Sequence, residues 1–280
     1  MRTHPQVMEI IPLEDNFEDI LGKAMRGTSM TVEALSSQSG VTTEEIKQLL
    51  AGHFSAEPLR RIASPLALDA STLVERAESS WQPAALELEG LRQFVTPFED
   101  YTVGSYLVWD PHTMEAAMFD TGSNVDDAYA LVQALGLDVT QLFITHTHPD
   151  HILAMSKIRR WGQVTVRTVD LEPASRAEQF SMGESFSIGQ LRVSTRLTCG
   201  HSPGGVTYFI EGLERPVAIV GDALFAQSMG GGVVSYQDAL ATNRKEIFAL
   251  PDETVICPGH GPMTSVGEEK AHNPFFPEFK

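Results

Sequence analysis

Four metal-binding side chains crowd into six residues, His146-Thr147-His148-Pro149-Asp150-His151. Packing rarely needs such a set. It follows the short apolar run Leu142-Phe143-Ile144-Thr145, which reads as a strand, so the six residues belong to the loop at its end. In extended chain, side chains alternate with period two, so His146 and His148 point the same way and can reach one metal ion. Asp150 and His151 fall where a helix should begin, project differently, and could serve a second ion. Three more candidates each follow a predicted strand: His201 in Cys199-Gly200-His201-Ser202, Asp222 in Val220-Gly221-Asp222-Ala223, and His260 in Pro258-Gly259-His260-Gly261. In open α/β sheets, sites form beyond the carboxyl ends of strands. Five of the nine histidines occupy such places. Imidazole and carboxylate ligands suit divalent zinc, iron or manganese.

The elements that must carry these loops fall into two textures. Residues 1–80 read as a helical domain, with helices expected over Asn16–Arg26, Thr31–Ser37, Thr43–Ala51, Ala56–Leu68 and Ala70–Glu78. Thr42 and Glu45 form a capping box, and Gly40 supplies a tight turn between the second and third helices. Leu35, Val41, Ile46, Leu49, Leu50, Leu59, Ile62, Ala63, Leu66, Leu73 and Val74 should make a small core. Residues 81–90 read as a linker, with Pro83 inside it. Residues 91–280 read as a catalytic domain of strands alternating with helices. A hairpin is expected from Tyr106–Trp109 and Ala116–Phe119, and helices over Val125–Leu135 and His151–Trp161. Later strands are expected at Val164–Val169, Leu191–Leu197, Val206–Ile210, Val217–Val220 and Thr254–Cys257.

Composition narrows the partners. The formal net charge is −17, which repels phosphate backbones and anionic membranes. Nucleic acid is therefore disfavoured as a partner and a membrane is excluded. Met1–Leu21 is acidic and lacks the apolar core of a signal peptide, so a cytoplasmic protein is expected. The two cysteines, Cys199 and Cys257, could be thiolate ligands or a redox pair, but read better as small buried hydrophobes.

From Leu91 onward the chain resembles the metallo-β-lactamase-fold hydrolases, and among them the glyoxalase II-like group. The superfamily resemblance rests on His146-x-His148-x-Asp150-His151, Gly200-His201, Gly221-Asp222 and Gly259-His260-Gly261. The group resemblance rests on Gly200-His201-Ser202-Pro203-Gly204-Gly205, Gly221-Asp222-Ala223-Leu224-Phe225 and the closing run to Asn273-Pro274-Phe275. It implies an α/β fold, a four-layer αββα sandwich with metals in a cleft at one edge. It also implies that His146, His148 and His201 hold one of two divalent metal ions, that Asp150, His151 and His260 hold the other, and that Asp222 bridges them. Zinc is the first choice of metal, iron or manganese the alternatives.

The implied activity is hydrolysis of a thioester or related small acyl substrate, with a metal-bridging hydroxide as nucleophile and Asp150 orienting it. Asp120, in Phe119-Asp120-Thr121-Gly122, matches the family's loop after an early strand and is expected to orient a ligand. Phe98, Tyr101 and Tyr106 fall where related enzymes place a lip over the cleft, which marks Phe98 and Tyr101 as substrate-contact candidates. Two stretches depart from the group: Ile152-Leu153-Ala154-Met155 replaces small residues, and Met229-Gly230-Gly231-Gly232 stands where a Gly-Arg pair is common. The alternatives are a mononuclear-iron persulfide dioxygenase using His146, His201 and Asp222, a lactonase, and a metal- or ligand-sensing DNA-binding regulator.

The regulator reading comes from the N-terminal segment. The layout Val32-Glu33-Ala34-Leu35, Gly40-Val41 and Ile46-Lys47-Gln48-Leu49-Leu50 resembles the helix-turn-helix domain of the lambda-repressor/Cro-like family. Against DNA binding, residues 1–90 carry 7 Lys+Arg against 14 Asp+Glu. The would-be recognition helix also opens on Glu44 and Glu45, where base contacts want Arg, Lys, Asn or Gln. Packing, or a homo-oligomer formed through this domain, is the preferred role.

Overall fold

Alternation along one strand sets the architecture. In Val217-Ala218-Ile219-Val220 every residue is apolar and buried, so both faces of that strand must be covered. Val217 and Ile219 face a core shared with a second sheet, whereas Ala218 and Val220 face a core shared with helices. The computed structural model describes residues 11–280; the first ten residues of the acidic opening Met1–Leu21 lie outside it.

Five N-terminal helices come first: α1 (Phe17–Thr28), α2 (Val32–Ser39), α3 (Thr43–Leu50), α4 (Ala56–Ala63) and α5 (Ala70–Ala77). The expected capping box forms, with Thr42 accepting from the Glu45 amide at 3.2 Å and Glu45 accepting from the Thr42 amide at 2.9 Å. The fourth helix is shorter than expected, giving way to a single 3-10 turn at Ser64–Leu66.

The first sheet follows. It contains β1 (Leu91–Phe98), β2 (Tyr101–Trp109), β3 (Glu115–Phe119), β4 (Asp138–Phe143), β5 (Thr165–Val169) and β6 (Glu178–Phe180), adjacent in that order. It is antiparallel from β1 to β3 and parallel from β3 to β6. The helix α6 (Asp126–Leu135) packs on its outer face. The second sheet runs β12-β11-β10-β9-β8-β7, from β7 (Ser185–Ile188), β8 (Leu191–Leu197), β9 (Val206–Glu211), β10 (Val217–Gly221), β11 (Val255–Pro258) and β12 (Thr264–Ser265). Between the sheets lie Phe119, Phe143, Val193, Tyr208, Ile210, Ile219 and Cys257. On the far face of the second sheet, Phe209, Ala218, Val220 and Ile256 meet helical residues. Two sheets between two helical layers are the expected α/β sandwich. No described helix is long and apolar enough to cross a membrane.

Three expectations change. The N-terminal core is not small and separate. The residues named for it are buried, Leu50 partly, but they continue through Phe17, Ile20 and Leu21 of α1 into Ala218, Val220, Leu240, Ile247, Phe275 and Phe276. An apolar face exposed on the second sheet drives that merger. The single helix expected over His151–Trp161 is instead two short ones, α7 (Pro149–Ile152) and α8 (Met155–Ile158). The Ala154 amide donates to Thr121 Oγ1 at 3.1 Å and to the Gly122 carbonyl at 3.2 Å, which takes it out of any helical ladder. Tyr106 is not at a lip. It is buried between the sheets, accepts from Gln93 Nε2 at 3.0 Å and donates to the Pro258 carbonyl at 2.7 Å.

Candidate metal centre

Four strand ends deliver the seven candidate ligands to one place. β4 ends at Phe143 and leads through Thr145 to His146 and His148; α7 follows and carries Asp150 and His151. The loop after β8 carries His201, Gly221 closes β10 ahead of Asp222, and Gly259 follows β11 ahead of His260. Crowding fixes two glycines. A Cβ at Gly259 would lie 2.0 Å from Asp222 Oδ1, and one at Gly230 would lie 1.8 Å from the Asp222 carbonyl oxygen. Only bare backbone lets these loops close around Asp222.

The ring nitrogens are aimed from behind. His151 Nδ1 donates to Asp120 Oδ2 at 2.8 Å, His201 Nδ1 to the Gly231 carbonyl at 3.0 Å, and His260 Nδ1 to the Thr102 carbonyl at 2.6 Å. Thr145 Oγ1 lies 3.1 Å from His146 Nδ1 while itself donating to Asp120 Oδ2. Each of these histidines therefore turns Nε2 inward. This is the outer bond that fixes tautomer and ring orientation in metal ligands.

Three overlapping groups of ligand atoms result: His146, His148 and His201; His146, His151 and Asp222; and Asp150, His151 and His260. In the first, His148 Nδ1 lies 3.0 Å from both His146 Nε2 and His201 Nε2. Asp222 reaches all three: Oδ1 is 3.3 Å from His151 Nε2, and Oδ2 is 3.3 Å from both His201 Nε2 and His260 Nε2. Asp150 Oδ2 is 3.5 Å from His260 Nε2 and 3.6 Å from His151 Nε2.

These residues fit a metal ion. His151 Nε2 and Asp222 Oδ1 are buried and, among the described residues, make no hydrogen bond. Such orphans are costly unless something binds them. Tetrahedral zinc at about 2.0–2.1 Å from its nitrogens would hold neighbouring ligand atoms roughly 3.3 Å apart, close to the spacings observed.

Electrostatics divide the cluster. Burial holds His146 well below the usual imidazole range, and His201 below it, so both imidazoles are neutral. Burial also opposes charge on His151, but the Asp222 and Asp120 carboxylates outweigh it and push it up to about 10. His260 is likewise pushed up to about 11, against burial, chiefly by Asp222 and Asp150. Burial opposes charge on Asp222 too, yet the facing His260 and His151 hold it well below the usual carboxylate range.

Of the two substrate-contact candidates, Tyr101 lines the cavity over the centre, with its ring 5.4 Å from that of His260. Phe98 sits behind, against the Tyr101 ring at 5.6 Å. Asp120 does more than form a turn: it bonds His151 and both the amide and hydroxyl of Thr145. Cys257 is buried between the sheets and Cys199 is partly buried; neither belongs to a ligand group.

Sequence reading missed Glu172. Buried just past β5, it accepts from the Thr147 amide and hydroxyl at 3.1 and 2.7 Å and from the Gly204 amide at 3.0 Å. It ties the His146–His148 loop to the His201 loop. Its one sequence signal is a carboxylate soon after a strand end.

A family description reading "Metallo-beta-lactamase superfamily" matches residues 100–260, beginning after the N-terminal helices. The chain is 26% identical to the hydroxyacylglutathione hydrolase GloC of Haemophilus influenzae over 206 residues, covering 65% of this chain and 96% of that one. It is 28% identical over 195 residues to the human mitochondrial persulfide dioxygenase ETHE1, covering 66% of this chain and 74% of that one. Among solved structures, ETHE1 from Myxococcus xanthus aligns with a TM-score of 0.59 at 30% identity, over 67% of this chain and 84% of that one.

Proposed function

The chain belongs to the metallo-beta-lactamase superfamily, and from that premise we propose that it is a binuclear metal-dependent hydrolase of a thioester or related small acyl substrate. The observation that carries the reading is the reach of Asp222, whose two oxygens touch histidines of both ligand groups at 3.3 Å. In this reading His146, His148 and His201 hold one ion, Asp150, His151 and His260 hold the other, and Asp222 serves both. Zinc suits the nitrogen-rich donor set; iron and manganese are the alternatives. Bound ions of this kind lower the pKa of water to about 7 and polarise a carbonyl oxygen.

The chain's own groups do the rest. Asp150 reaches the cavity and accepts a hydrogen bond from the attacking water, orienting it toward the carbonyl carbon. Asp120, Gly231 and Thr102 hold three of the imidazoles in place, so little reorganisation is left for the reaction. Tyr101 is pushed up to about 12 by burial and by Asp150 beside it, and so stays a neutral phenol beside the substrate. A thiolate leaves without a dedicated acid, and no serine or cysteine nucleophile is required.

The test is hydrolysis of thioesters, lactones and phosphodiesters by protein loaded separately with zinc, iron and manganese, with elemental analysis alongside. Asp222→Ala should lose metal and lower turnover by more than about 100-fold, the upper range for residues merely behind a ligand. Full metal content and full turnover in that variant overturn the reading.

A second reading is a mononuclear-iron persulfide dioxygenase, favoured by the identity to proteins so named. It needs only His146, His201 and Asp222, and leaves the complete Asp150, His151 and His260 group without a role. Oxygen uptake on a persulfide with a single iron per chain would decide for it. For the N-terminal helices, packing is preferred to DNA recognition, since α3 opens on Glu44 and Glu45.

A further inference from the structure

The cavity above the metal centre, about 380 Å³, is not built by the two sheets alone. One wall is His148, Asp150, His201, Asp222 and His260; another includes Glu14 and Lys23, which come from the N-terminal helical segment. That segment is anchored firmly. Gly27 of α1 lies so close to the Tyr236 ring that a Cβ there would approach Cγ to 2.1 Å. Within the segment, buried Arg76 of α5 donates to the Asp15 carbonyl at 2.7 Å and to Asn16 Oδ1 at 3.1 Å; from outside it, Ser228 Oγ donates to Asp15 Oδ2 at 2.5 Å.

Lys23 is the informative residue. Its side chain is only 13% exposed, and its ammonium donates to Asp15 Oδ2 and, at 2.8 Å, to the Met229 carbonyl. The same ammonium lies 5.2 Å from the centre of the Phe225 ring, another wall of the cavity. An ammonium has three N–H donors. Two are used, and among the described residues the third meets no oxygen or nitrogen acceptor, only the nearby Phe225 ring. A desolvated cation held rigidly on a cavity wall, with one donor spare, is complementary to an anionic oxygen on whatever fills that cavity. Glu14 faces the same space and makes no hydrogen bond through its side chain among the described residues.

The geometry points to Lys23 and Glu14 as substrate-contacting residues. Lys23 receives a carboxylate on the acyl substrate, Glu14 receives an amide or ammonium hydrogen of the same molecule, and the N-terminal segment thereby sets specificity. The kinetic side of this inference rests on the hydrolase reading; the binding side does not.

The experiment uses the full-length, metal-loaded protein and two matched thioesters, S-lactoyl-3-mercaptopropionate and its terminal carboxamide. Calorimetry is run in parallel with the non-hydrolysable thioether S-(2-oxopropyl)-3-mercaptopropionate and its carboxamide. Wild type should favour the carboxylate by about tenfold, expressed in KM for the thioesters and in Kd for the thioethers, as expected for one charge-assisted hydrogen bond. Lys23→Met should erase that preference with metal content intact, Lys23→Arg should keep much of it, and Lys245→Met, at a residue whose side chain is 80% exposed, should keep all of it. A merely structural Lys23 would change stability or metal content without moving the carboxylate-to-carboxamide ratio. Equal binding of the two thioethers by wild type, no binding of either, or an unchanged ratio in Lys23→Met overturns the inference. If wild type hydrolyses neither thioester while thioether binding still depends on Lys23, the hydrolase reading falls and this one stands.

Discussion

Asp120 and His151 are joined by a 2.8 Å hydrogen bond that turns a fully buried imidazole toward Asp222. The carboxylate is already occupied on both oxygens, by the Thr145 amide at 2.8 Å and the Thr145 hydroxyl at 2.7 Å. Its position is thus set by Thr145 in the loop after β4, and it passes that position on to His151, six places beyond Thr145.

Asp120→Asn should therefore misaim His151. The amide keeps the volume but opposes one donor with another, either at His151 Nδ1 or at Thr145. Metal affinity of the Asp150, His151 and His260 group should fall by about 10–100-fold. Chelator competition measures this, and an unchanged dissociation constant would refute it.

Glu172→Gln should weaken the other group. The carboxylate accepts donors from Thr147 and Gly204, so it couples two ligand loops that no strand pairing joins. The expected loss is again about 10–100-fold in affinity, seen in the visible spectrum of the cobalt-substituted protein as a disturbed His146, His148 and His201 environment. A wild-type spectrum and affinity would leave Glu172 without the positioning role.

Metal uptake should be strongly pH-dependent on one side of the centre. In the metal-free protein His151 and His260, pushed up to about 10 and about 11, carry protons at pH 7.5, whereas His146 and His201 do not. Ligands must be deprotonated to bind, so filling the His151 and His260 group releases about two protons and its affinity falls as pH falls. Titration calorimetry in buffers of differing ionisation enthalpy counts the protons. Release of none would show that those imidazoles are neutral before metal arrives.

Stability should carry the mark of Glu269. It is fully buried, accepts from Thr264, Gln227 and Asn273, and is pushed by burial from 4.5 up to about 8. The native state therefore keeps a proton that the unfolded chain gives up above about 4.5. Its contribution is present at low pH and is lost as pH rises through about 8. Relative to wild type, Glu269→Gln should gain on the order of 1–3 kcal/mol between pH 5 and pH 8.5. Urea denaturation at the two pH values checks it, and a difference that stays constant refutes it.

Much of this was legible beforehand, for local reasons. His146, His148, Asp150 and His151 announce themselves by type and spacing, and His201, Asp222 and His260 by standing next to glycines at strand ends. The Thr42 and Glu45 capping box is a four-residue pattern and formed as read. By contrast β1 was not anticipated, because Leu91-Arg92-Gln93-Phe94-Val95 is an edge strand with irregular burial and so has no clean alternation. The helix after His151 was overextended, because its break comes from the Thr121 side chain, thirty-three residues away.

The sequence by itself determined the donor chemistry: which nitrogens and oxygens are available, and that they stand at strand ends. It did so because residue type and alternation are local properties. Only the tertiary structure decided that His151 is the imidazole Asp120 holds, that Glu172 ties two of the donor loops together, and that Glu14 and Lys23 of a helical segment wall the cavity over them. Those relationships depend on burying the second sheet's outer face against α1–α5, an energy spread over many apolar side chains far apart in the chain. No short pattern encodes it.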